Sequence, residues 1–183
     1  NENAQLQSQV IQLQLQLKDT DVLYALLNFA RSRPNDTYVA AAVIGRDPSP
    51  FLRYIIIDKG SDDGLLRGMP VVTAQGLAGR VDAVIANAAR VQLINDPGSA
   101  VNVQLSSTRT DAVLTGSITG DVQLEMVPLD ITLETGEVVL TSSLGGTYPA
   151  GILIGQVIGV RRLETDLFQT ASVQPAVDFS SLS

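Results

Sequence analysis

The sequence predicts a mainly β protein, in which an N-terminal coiled-coil α-helix is followed by two small β-barrels. Three observations carry that prediction. No Gly or Pro interrupts residues 1–33, and apolar residues recur there at spacings of three and four. From Thr37 onward, Gly and Pro punctuate short runs rich in Val, Ile and Leu. No second long helical pattern follows.

The first element needs justification, because Val10–Lys18 reads VIQLQLQLK and alternates like a half-buried strand. Its residue types favour a helix. Gln and Leu are good helix formers, and Val10 and Ile11 are the only β-branched residues between Gln9 and Lys18. The flanks extend the pattern as a heptad repeat. Asn3, Val10, Leu17 and Tyr24 take a positions; Leu6, Leu13, Thr20 and Leu27 take d positions. Val at a with Leu at d suits a parallel two-stranded coil, and Asn at a sets register. Pro34 stops the pattern. The spacing predicts a helix over 2–32, roughly 45 Å long at about 1.5 Å per residue. Residues 1–33 form a dimerisation helix on this reading, with Leu6, Val10, Leu13, Leu17, Tyr24 and Leu27 at the seam. Ile11 and Leu15 lie off that seam and widen the apolar face, which keeps open the alternative of packing within one chain.

The strands follow in order. TYVAAAVIGR (37–46), the turn DPSP (47–50) and FLRYIIIDKG (51–60) come first; SDDGLLRGM (61–69) is a loop with two Gly. PVVTAQGLAGRVDAVI (70–85) reads as two strands joined at Ala74–Gly76. RVQLIND (90–96), PGS and AVNVQL (100–105) read as a hairpin-like pair. DAVLTG (111–116), VQLEMV (122–127), EVVLTS (137–142), ILIGQVIGVRR (152–162) and QTASVQPAV (169–177) complete the chain. About eleven short strands suit two small barrels, since closure removes exposed edges. The expected seam lies near Ser106–Thr110, giving a first barrel over 37–106 and a second over 107–183, with exchange of strands between them left open. Val43, Ile55, Ile57, Val72 and Val81 are expected in the core.

Composition narrows function. The net charge is −7, from 12 basic and 19 acidic residues. No basic face for nucleic acid or an anionic membrane surface is visible; Arg31/Arg33 and Arg161/Arg162 read as solvated charges. The chain has no His and no Cys, which excludes disulfides, thiolate nucleophiles, the usual zinc sites and a Ser-His-Asp arrangement. It begins at Asn1 inside the heptad pattern with no signal peptide or apolar span, so an anchor is expected before residue 1.

Candidate chemical sites fall one by one. Glu134-Thr135-Gly136 is the nearest approach to an aspartic-protease loop and has Glu in the wrong place. Asp62/Asp63 could pair as carboxylates, but a solvated turn explains them, and the lack of Trp leaves few platforms for sugars. Asp58–Gly64 carries Lys59 and lacks the Glu a calcium loop needs. Ser142–Gly146 follows a strand, but no helix opens after it and no Walker lysine is present, so its glycines read as turn residues. No cofactor or metal is expected.

Two Gly-bearing blocks are specific as a set. GSDDGLLRGMPVVTAQGLAGRVDAV (60–84) places Gly60, Asp63, Gly64, Gly68, Met69, Val71, Gly76, Leu77, Gly79 and Val81 in one pattern. GEVVLTSSLGGTYPAGILIGQV (136–157) does so with Thr141, Ser142, Leu144, Gly145, Gly146, Pro149, Gly151, Gly155 and Val157. With VQLINDPGSAVNV (91–103) between them and a heptad helix before them, the chain resembles the MreC family of rod-shape-determining proteins. It departs from the family pattern at Glu137, Ser143 and Tyr148. The resemblance implies a non-catalytic scaffold of the machinery that elongates the lateral cell wall. It implies an anchor of one upstream transmembrane helix and a coil and two barrels on the extracytoplasmic, periplasmic face of the inner membrane. It implies a homodimer able to assemble into filaments, and partners that include MreD, the actin-like MreB and a class B penicillin-binding transpeptidase. Two other readings compete. A periplasmic adaptor of an efflux or secretion system also joins helices to β-barrels, but it carries a hairpin of two long helices where this chain offers one. An enzyme on a barrel scaffold would need a carboxylate-only site.

Overall fold

The computed structural model describes residues 2–162 and 165–182; in the helix, the side chains of residues 2, 4, 15, 18, 19, 21–23, 25, 26 and 29 fall outside the description. Helix α1 spans Glu2–Ser32, the range the spacing predicts, and ends two residues before Pro34. Leu6, Val10, Leu13, Leu17, Tyr24 and Leu27 are exposed along it. So is Ile11, while Leu15, the other residue off the seam, is among the side chains outside the description. Thr20, at a d position, donates its hydroxyl to the Gln16 carbonyl one turn back, at 2.8 Å. Residues 1–38 form one compact unit and Val39–Ser183 a second.

The second unit contains eleven strands among the described residues: β1 Val43–Arg46, β2 Tyr54–Ile57, β3 Pro70–Val72, β4 Leu77–Val84, β5 Ala89–Leu93, β6 Ala100–Leu105, β7 Asp111–Gly116, β8 Val122–Pro128, β9 Val138–Thr141, β10 Leu153–Arg161 and β11 Phe168–Pro175. All pair antiparallel. The last six close into a barrel in the order β10-β11-β8-β7-β6-β9. Alternation along them turns Val101, Val103, Leu114, Leu124 and Val173 inward, and bulges in β8–β11 and β10 bend the wall enough for six strands to meet.

The first five strands form a sheet in the order β1-β2-β5-β4-β3, with β1 and β3 at its edges. The mainly β class holds, and one of the two expected barrels closes; the other is this open sheet. Its edge strands are short, β3 having three residues and β1 four with a bulge, and they do not pair with each other. The chain's end covers the inner face instead. Val177 is buried in the sheet's core with Ile55, Ile57, Val81 and Val91, and Phe179 and Leu182 pack against the same cluster. The Arg46 guanidinium, at the end of β1, donates to the Phe179 carbonyl at 2.9 Å and to those of Ser180 and Leu182.

β6, inside the span expected for the first barrel, belongs to the closed barrel, as the strand exchange left open above allows, and the chain passes from one sheet to the other over residues 94–99. The expected hairpin of 90–96 with 100–105 is corrected. β5 pairs with β2 and β4, whereas β6 pairs with β7 and β9. The turn that reads as a hairpin in the sequence is the joint between the two sheets. Of the expected core residues, Ile55, Ile57 and Val81 are buried, and Val43 and Val72 are partly buried against the clusters.

One residue of the first sheet sits in the wrong core by sequence position. Leu77 opens β4 yet is fully buried among the barrel's side chains, with Val72 beside the same cluster. The substitution Leu77→Ala is expected to cost about 2–5 kcal/mol in urea unfolding and to keep a single transition, because the cavity lies in a core that both sheets share.

Candidate functional site

The two Gly-bearing blocks shape the first sheet and its joint with the barrel. In the first block, Gly60–Gly68 shapes the far side of the first sheet. The N–H groups of Ser61 and Asp62 donate to the Ile85 and Ala86 carbonyls at 2.9 and 3.0 Å. A Cβ at Gly60 would lie 2.1 Å from the Ile85 oxygen, so only Gly allows this contact. The Asp63 carboxylate accepts from the Gly60 N–H at 3.1 Å and lies 3.8 Å from the Lys59 ammonium. Gly64 and Gly68 take left-handed turn positions, and the Gly68 N–H reaches the Val81 carbonyl at 2.8 Å.

The second half of that block meets the barrel. Gly76, in the β3–β4 turn, approaches the backbone of β10; a Cβ there would lie 2.3 Å from the Leu153 oxygen. Gly79 lies against the carbonyl of Gln92 on β5, with 2.0 Å for the same Cβ. These two contacts let Leu77 enter the barrel core beside Tyr148, Ile152 and Ile154. Burial pushes the Tyr148 hydroxyl above the ordinary phenol range, and the nearby Arg80 of β4 pulls it partly back.

The second block holds the loop that carries Tyr148. Thr141 is buried; its hydroxyl donates to the Pro149 carbonyl at 2.6 Å and accepts from the Ile152 N–H at 2.8 Å. Ser142 donates to the Asp111 carboxylate at 2.7 Å and accepts from the Leu144 N–H at 3.1 Å. Asn102 of β6 ties the loop from the other side, donating to the Leu144 carbonyl at 2.9 Å and accepting from the Ser142 N–H at 3.0 Å. Gly145, Gly146 and Gly151 have positive φ, whereas Ser143 has φ −76° and ψ −2°. The departure from Gly at 143 therefore leaves the turn intact, since a right-handed position accepts any side chain. Pro149 itself is exposed.

Two residues that hold this arrangement were not singled out individually from the sequence. Asp96 is 1% exposed, and its carboxylate accepts from the Arg53 N–H at 2.8 Å, the Gln92 side-chain amide at 2.9 Å and the Gly98 N–H at 2.8 Å. Its own carbonyl meets the end of β7, where a Cβ at Gly116 would lie 2.1 Å away. Arg46, which fastens the chain's end, is the other. The Asn-Asp-Pro-Gly run is the available signal for Asp96; Arg46 offers none.

Among the described residues, no cluster of three or more acidic side chains is arranged to hold a metal ion. Nor is any helix long and apolar enough to cross a membrane. Exposed apolar side chains stand on neighbouring barrel strands instead: Met126 on β8, Phe168 on β11 and Leu167 just before it.

The profile of "Rod shape-determining protein MreC, barrel core" matches residues 43–183, the whole second unit from β1 onward. The chain belongs to the MreC family. The cell shape-determining protein MreC of Listeria monocytogenes is 33% identical across all of this chain and 62% of its own length. A solved MreC structure superposes with a TM-score of 0.83 at 30% identity, covering 90% of this chain and 94% of that one. A complex between penicillin-binding protein PBP2 and MreC from Helicobacter pylori shares the fold, with a TM-score of 0.65 over 79% of this chain and 90% of that one at 14% identity. The chain spans 35–62% of the length of the curated MreC relatives it matches. The MreC motif thus maps onto a joint that locks an open sheet to a barrel. Thr141→Val keeps the shape of the side chain and removes its hydroxyl; it is expected to lower stability by about 1–3 kcal/mol, read as a shift in the urea midpoint.

Proposed function

We propose that this chain is a non-catalytic scaffold of the cell-wall elongation machinery that maintains rod cell shape. On this reading it dimerises through α1 and binds a class B penicillin-binding transpeptidase, MreD and MreB, and its dimers extend into filaments. It stands on the extracytoplasmic face of the inner membrane, anchored by a transmembrane helix upstream of residue 1. The observation that carries the reading is the family match over residues 43–183, to relatives named for determining cell shape. The named complex of an MreC with PBP2 supports the choice of partner.

Two physical features fit a binding role. Leu6, Val10, Leu13, Leu17, Tyr24 and Leu27 are 46–63% exposed along one heptad seam, which a second copy would cover. The barrel presents Met126, Leu167 and Phe168, and the sheet ends in the β1 edge, where Ile44 is exposed and an extended partner strand can add. The adaptor alternative lacks its hairpin, since α1 is the only long helix among the described residues.

The test is a calorimetric titration of the chain with the extracytoplasmic part of its cognate elongation transpeptidase, with sedimentation in parallel. Saturable binding by a dimer is expected. Leu13→Asp combined with Leu17→Asp should give a monomer whose β unit stays folded. An unchanged dimer mass sinks the coil; absence of heat from a folded dimer sinks direct binding to the transpeptidase.

A further inference from the structure

The segment Val177–Leu182 lies on the first sheet as a ligand lies in a groove. Val177 is buried with Ile55, Ile57, Val81 and Val91, Leu182 packs against the same cluster, and Phe179 packs against both cores. The carbonyls of Phe179, Ser180 and Leu182 all accept from the Arg46 guanidinium. The segment sets its own turn. The Asp178 carboxylate accepts from the Ser180 N–H at 3.0 Å and the Ser180 hydroxyl at 2.6 Å, and the Ser181 hydroxyl donates to the Asp178 carbonyl at 3.1 Å. Its attachment, by contrast, is slight. β11 ends at Pro175, and the bond from the Ala176 N–H to the Ile154 carbonyl, at 2.8 Å, is the last main-chain tie to a strand among the described residues. Asp178, Ser180 and Ser181 are exposed. Cavities of about 660 and 330 Å³ open on the segment, and Phe179 and Ser180 line both. A stretch with few buried contacts and no ladder bonds opens at a lower free energy than the strands beneath it.

We infer that the inner face of the first sheet is an exchangeable peptide groove, in which Val177–Leu182 of a second copy takes the place of the chain's own segment. The resident occupant identifies the visitor. A second copy brings apolar side chains at the same first, third and sixth positions, the same Asp178 turn and the same carbonyls for Arg46. Every contact of the closed chain is then remade between copies, which makes such an exchange a low-cost route to association. The chain's own segment competes at an effective concentration in the millimolar range, as short tethers do, so exchange grows where copies are crowded together.

The test mixes two full-length variants. The acceptor chain carries Val177→Ser, Phe179→Ser and Leu182→Ser, which empty its groove and keep Arg46. The donor chain carries Arg46→Ala, which loosens its segment and keeps it intact. The acceptor is labelled with ¹⁵N and followed by NMR as the donor is added. Saturable shifts of the Ile55 and Val91 amides are expected. A chain with all four substitutions has the same α1 but no segment to give, and should leave both amides unmoved, which separates this exchange from any pairing through the helix. A capped peptide of residues 176–182 should bind the acceptor at least tenfold more tightly than the unaltered chain, whose groove is filled. Phe179→Ser alone, at a half-buried position, should show the same order of affinities if the triple variant does not fold. Unmoved Ile55 and Val91 amides on adding the donor, or equal shifts with the fourfold variant, overturn the exchange. Equal peptide affinity for the emptied and the unaltered chain overturns the groove.

Discussion

The seating of Leu77 in the barrel core is the interaction on which the rest of the second unit depends. A five-stranded sheet with two short edges buries little on its own, and its fold is marginal without further cover. Leu77 joins its core to the barrel's, and the glycines on either side make this possible by contact rather than by flexibility. At Gly76 and Gly79 a single added carbon would collide with main-chain oxygens of β10 and β5. Thr141 and Ser142 then fix the loop that brings Tyr148 down onto the same cluster. In this chain the motif residues therefore serve packing and turn geometry.

Charge and hydrogen bonding secure what the packing begins. Asp96 gathers donors from β5, from the segment before β2 and from its own turn, so the chain leaves one sheet and enters the next along a defined path. Charge-assisted bonds of this kind are stronger than neutral ones and carry more directional information. Arg46 does the equivalent for the chain's end, with three carbonyls from 179–182 on one guanidinium. The first sheet is thereby tied to the barrel at one end and to the chain's end at the other.

Much of this was legible in the sequence, and the failures share a cause. The bounds of α1 follow from local spacing and Pro34. β6 and β7 fall where alternation and flanking turns place them, over 100–105 and 111–116. What the sequence misplaced is the pairing of distant strands. Residues 90–105 look like a hairpin because two apolar runs flank Asp-Pro-Gly, yet the buried Asp96 carboxylate turns that stretch into a crossing between sheets. Closure of the first sheet was expected because short strands suit barrels; the sheet stays open, and its core is completed by Val177 and Phe179, more than eighty residues downstream in the chain. The glycine motif was legible as a pattern, and its role was not, since the oxygens it avoids lie on other strands.

Native-state hydrogen exchange, read amide by amide across the second unit, tests the shared-core account most directly. If the joint makes one cooperative body, the slowest amides of β2 and β5, at Ile55 and Val91, open with the same free energy as those of Leu114 and Leu124 in the barrel. Independent opening of the first sheet at a distinctly lower free energy, with the barrel still protected, would contradict it.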